Sequence, residues 1–171
     1  MLTALSSNSL FIPAFFSLFF FKNPHKYLRF IAIFVFIAGV GEVVGVILSK
    51  WYIESTFIRN LLFIIQIIMC AIIFDDLFQS KSIRLINKLI AYSLGTFSIV
   101  NLFFIQGFFL ENTYTYVLVG SYTILLCVLY FYQLFLSNLV APLLSIPAFW
   151  FVSGMFIYHT GNFFVFWVLR D

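Results

Sequence analysis

The sequence predicts an all-α polytopic transmembrane bundle of about six spans, and three observations carry that prediction. Of the 171 residues, 64% are hydrophobic and 9% are charged, with a mean hydropathy of +1.12. A water-soluble domain of this size has too much surface to hide so much apolar area, so the solvent that fits is lipid. The apolar residues come in continuous runs such as FIAIFVFIAGVGEVVGVI and LLFIIQIIMCAIIF. A membrane β-barrel would alternate apolar and polar residues instead. Each span takes about 20 residues, so the whole chain, 1–171, reads as one transmembrane domain joined by short turns.

Segment one covers about 2–21. Ser6, Ser7, Asn8 and Ser9 weaken its first half and Pro13 interrupts it. Its purely apolar part, 10–21, is only about 18 Å long as a helix. The basic residues follow it rather than precede it, which is not the pattern of a signal peptide. Segment two covers 29–48, and segment three covers 57–78, with Asp75 and Asp76 near its end. Segment four covers 86–106 and segment five covers 113–136. The stretch SNLVAPLLSIP, broken by Pro142, is too apolar for a solvated loop and reads as interfacial. Segment six covers 148–169. Ser145 and Pro147 suit its first turn, where the missing proline N–H costs nothing.

Loop charge predicts orientation by the positive-inside rule. Lys22, Lys26 and Arg29 follow segment one, and Lys81, Arg84 and Lys88 follow segment three. The other turns hold Lys50 and Arg59 beside Glu54, and then only Glu111. Placing the first and third turns inside puts the N-terminus outside, and the C-terminus with it. Trp51, Tyr52, Tyr114, Tyr116 and Trp167 then form an outer aromatic belt. The net charge of +3 is thus a topology signal and not a nucleic-acid footprint.

Polar groups inside hydrocarbon are costly, so each one needs a reason. Glu42, Gln66, Asn101, Ser121, Tyr122, Tyr158, His159 and Asn162 fall in the middle to outer half of five segments. One reading is an outward polar pocket with Glu42 as its main ionisable group and His159 as partner. In that reading Glu42, His159, Gln66, Asn101, Tyr122, Tyr158 and Asn162 bind a ligand. The other reading is that these groups hydrogen-bond to one another and hold the bundle together. Gly41 and Gly45 form GxxxG, read as close helix packing. Gly154 and Gly161 on segment six are read the same way. Asp75 and Asp76 read as a solvated helix end balanced by nearby basic residues. Cys70 and Cys127 lie inside apolar runs without ligand spacing and read as buried free thiols.

No hydrolase elbow, zincin motif, phosphate-binding loop or Cys/His ligand set occurs. No metal and no cofactor are therefore expected. No helix carries a central lysine for a retinal Schiff base, and the arginines are not periodic as in a voltage sensor.

The second half carries NLFFIQG at 101–107, NTY at 112–114, YFYQL at 130–134, and PAFWFVSGMFIYHTGNFFVF at 147–166. In these positions the chain resembles a group of small, uncharacterised bacterial membrane proteins with six or seven spans. The resemblance implies a multi-pass protein of the bacterial inner (cytoplasmic) membrane. Members of that group often carry a seventh, C-terminal helix and an acidic residue where this chain has Gln66. The expected function is a membrane-embedded sensory or ligand-binding accessory subunit. A small proton-coupled transporter and an intramembrane lipid-modifying enzyme are the alternatives. The expected partners are the lipid bilayer and a second copy or another membrane protein, with no nucleic acid.

Overall fold

The computed structural model describes residues 25–51, 55–137 and 145–168, with side chains described as far as 163. Segment one, the centre of the interfacial stretch and residues 169–171 lie outside the described residues. The described elements are helices: α1 Lys26–Lys50, α2 Thr56–Leu77, α3 Lys81–Val100, α4 Thr113–Leu136 and α5 Pro147–Val168. A wider π turn, Asn101–Ile105, extends α3 without a break. These elements match segments two to six closely. The largest shift is at α3, which begins five residues before the expected 86.

That early start has a local cause. α2 and α3 are joined by a tight link, closed by Phe78 N–H donating to Phe74 O at 2.9 Å and by Arg84 N–H donating to Ser80 O at 3.1 Å. Arg84 also donates its Nε–H to Phe78 O, so the guanidinium locks the link from within. The charged run KSIRLINK therefore forms the first turns of the helix rather than the loop before it. At α5, Pro147 occupies the first helical position as expected.

α1, α2, α3 with its π turn, and α4 are each long and apolar enough to cross a membrane. At about 1.5 Å per residue they are about 33–38 Å long, against about 30 Å of hydrocarbon. The chain is thus a helical membrane protein with four candidate spans among its five described helices. Its outer surface agrees: Phe104 is 83% exposed, Phe135 82% and Tyr92 75%. Such side chains suit a lipid surround.

α2 lies at the centre of the bundle. It packs against α1, α3 and α4, and α5 packs against α4. The core is shared by Ile67, Ile73 and Phe74 of α2, Val119 and Leu126 of α4, and Val152 of α5. Lipid tails are as apolar as leucine, so the transfer of these groups out of lipid gains little. Close van der Waals packing and interhelical hydrogen bonds must hold the bundle together.

Candidate functional site

The bundle's polar side chains gather in separate nodes at different depths. At mid-length of α2 and α5, Gln66 Nε2 lies 2.9 Å from His159 Nε2. The amide and the imidazole share one hydrogen bond, whose direction follows the ring tautomer. His159 Nδ1 is turned toward α4 at Gly120, where a Cβ would sit 4.0 Å away, at ordinary van der Waals distance. Tyr158 stands edge-on to the ring, with centroids 5.1 Å apart, and is 65% exposed. Gln66, His159 and Asn162 are half-buried. The pair therefore joins two helices without being fully enclosed.

A second node ties three helices together. Tyr122 of α4 donates its hydroxyl to Asn87 Oδ1 at 2.6 Å. Asn87 of α3 donates Nδ2–H to the backbone oxygen of Ala71 in α2 at 3.0 Å. Beside it, Thr123 returns its hydroxyl to Val119 O at 2.8 Å. Asn87, Tyr122 and Thr123 are all buried.

The third node closes the turn between α3 and α4. Asn101 donates Nδ2–H to Gln106 Oε1 at 3.0 Å and Thr115 Oγ1 at 3.2 Å, and it also meets Asn112. The π turn closes through Gln106 N–H donating to Asn101 O at 2.9 Å. Gly107 then reverses the chain at φ 88°, a left-handed conformation that glycine adopts without steric cost. Asn60 of α2 donates to Phe108 O at 3.1 Å and Leu110 O at 2.9 Å. Arg59 and Glu111 complete the end with an ion pair at 2.9 Å. Asn101 is fully buried and its Nδ2 is committed to these partners, so this node fastens the turn.

The seven expected ligand residues therefore do not meet in one place. Gln66, His159 and Tyr158 come together, with Asn162 one turn further along α5. Asn101 belongs to the turn, and Tyr122 is committed to Asn87. Glu42 stands on the exposed side of α1, and His159 bonds Gln66 rather than Glu42. The physical reason is topological: α1 packs on α2 while α5 packs on α4, so the two residues share a depth without sharing an interface.

The glycines divide in the same way. A Cβ on Gly41 would come within 2.7 Å of Leu62 Cδ1, so α1 and α2 approach closely there; at Gly45 the nearest atom is Ser55 Cβ at 3.8 Å. Nothing lies within 4 Å of a Cβ on Gly154 or Gly161. The close helix approach expected at those two positions is not made among the described residues.

At the opposite end of the bundle from Glu111, the two adjacent aspartates separate. Asp75 Oδ2 pairs with Lys88 Nζ at 3.2 Å, and Asp76 Oδ2 accepts Tyr27 N–H of α1 at 3.0 Å. Cys70 and Cys127 are buried free thiols. Among the described residues no three His, Cys, Asp or Glu side chains are grouped to hold a metal.

Sequence reasoning missed Asn60, Asn87, Asn112 and Thr115. Asn87 adjoins Lys88 and reads as part of a charged helix end. Only the earlier start of α3 reveals that it lies about two turns inside the helix. No family model matches this chain, and no curated protein or solved structure matches it.

Proposed function

We propose that this chain is a six-span protein of the bacterial inner membrane that recognises a small or lipidic ligand as a sensory or accessory subunit. Segment one supplies the sixth span, both termini lie outside, and the basic turns lie in the cytoplasm. The observation that carries the reading is the Gln66–His159 hydrogen bond at mid-length of the helices. Two polar side chains 93 residues apart in sequence meet there, half-buried, and Tyr158 stands exposed beside them.

A pair serving only as glue is best fully enclosed, as Asn87 and Tyr122 are. Gln66 and His159 are instead half-buried, with Tyr158 and Asn162 beside them on α5. An incoming hydroxyl or carbonyl finds the free end of the Gln66 amide and the Tyr158 phenol there, in surroundings where each hydrogen bond gains from the low dielectric. Glu42 is not part of this group.

Native mass spectrometry on the purified wild type, His159→Phe and Gln66→Leu tests this reading. The wild type is expected to carry a bound species that falls by about tenfold in either variant, the loss of roughly one hydrogen bond in a buried site. The same species at the same level in all three proteins, or none in any, would contradict the proposal.

A further inference from the structure

A cavity of about 230 Å³ opens at the end of the bundle where α2 finishes and α3 begins. Its polar lining comes from Tyr27 of α1, Asp76 of α2, Gln79 of the link, and Tyr130, Gln133 and Ser137 at the end of α4. Ile146 and Ala148, at the start of α5, close the far wall. The volume is below the roughly 300 Å³ at which pockets accept drug-sized ligands, so the cavity has room only for a small group.

The charge pattern of the cavity selects the sign of that group. Asp76 is the one charged side chain in the lining, and among the described residues it makes no ion pair. Its neighbour Asp75 does, with Lys88. Among the described residues the carboxylate of Asp76 is met by the Tyr27 amide alone. Gln133 Oε1 faces in from α4, where it accepts Gln79 N–H at 3.3 Å. The C-terminal ends of α2 and α4 meet the N-terminal ends of α1 and α5 here, so their helix dipoles offset one another. Tyr27 and Tyr130 add aromatic faces, which attract ammonium groups. A carboxylate that makes no ion pair among the described residues, with two tyrosines beside it, favours a cation.

The surroundings suggest what the cation is attached to. The cavity lies at the end of helices about as long as the bilayer is thick, which is head-group depth. Lys26 and Lys81 stand next in sequence to the cavity's edge, beside Tyr27 and the Gln79 link. They suit a phosphate beyond the ammonium. We propose that this cavity seats the ammonium of an aminophospholipid of the phosphatidylethanolamine type, with Asp76 as its counter-ion. The site is independent of the Gln66–His159 pair, which lies some half a helix length away.

The test uses the full chain in micelles with equimolar phosphatidylethanolamine and phosphatidylglycerol, followed by repurification and mass-spectrometric counting of retained lipid. Wild type is expected to retain the ethanolamine lipid in about fivefold excess, the scale of one partly exposed charge contact. Asp76→Asn keeps an acceptor for the Tyr27 amide and removes the charge, so the excess should vanish while the melting temperature holds. Gln133→Lys supplies an ammonium from within and should abolish the excess by a separate route. No preference in the wild type, or a preference untouched by both substitutions, would overturn the proposal. Saturable binding of free ethanolamine without lipid preference would overturn it in favour of a soluble amine.

Discussion

Asn87 joins three helices through one amide, accepting from Tyr122 and donating to the Ala71 carbonyl. Asn87→Ala should destabilise the protein by about 1–2 kcal/mol, the upper range for interhelical hydrogen bonds in membranes, because it leaves the Tyr122 hydroxyl without its acceptor. Tyr122→Phe should cost less, about 0.6 kcal/mol, since Asn87 retains Ala71. Unfolding in mixed micelles measures both, and the double variant should cost less than the sum of the two singles. Additive costs would show that the two side chains do not act together. The sequence makes Tyr122 conspicuous and hides Asn87, because an asparagine beside a lysine looks like interface rather than interior. Gln66 and His159 were legible as polar residues at similar depth. Their pairing was not, because depth says nothing about which helix faces which.

Packing quality varies from helix to helix. α1 meets α2 at Gly41, where a Cβ would press on the Leu62 side chain. Gly41→Leu should therefore lower stability by about 1–3 kcal/mol, the usual cost of overpacking, as read by thermal unfolding in detergent. Gly154→Ala and Gly161→Ala should be neutral or stabilising by up to about 1 kcal/mol, from helix propensity with open space around them. A large loss at Gly154 or Gly161 would mean that a helix outside the described residues packs there. The GxxxG spacing in α1 and the small residues in α5 look alike in sequence. Only the neighbours of each helix separate them. The turn after α3 is a different case: NLFFIQG marks a chain reversal through Gly107, but the π turn depends on Asn112 and Thr115, which arrive from the next helix. Asn101→Ala should loosen that turn and speed amide exchange across 102–112, while leaving exchange at the α2–α3 link unchanged.

The whole molecule follows from its continuous apolar runs. They specify helices long enough to cross lipid, and the exposed Phe104, Phe135 and Tyr92 on the outside are what such helices present to it. The boundaries of the five described helices were readable, to within five residues, from run length and turn residues. The central position of α2 was not, because its sequence is no more apolar than that of α1; its burial comes from having α1, α3 and α4 as neighbours. The charge at the two ends carries the remaining claim, that the end bearing Lys81, Arg84 and Lys88 faces the cytoplasm and the end bearing Glu111 faces out. With Cys70 and Cys127 replaced by alanine, single cysteines at Leu110 and Ser82 can be challenged in intact cells with a membrane-impermeant maleimide. The account predicts labelling of Leu110→Cys in intact cells and of Ser82→Cys only after permeabilisation. Labelling of Ser82→Cys in intact cells would contradict it.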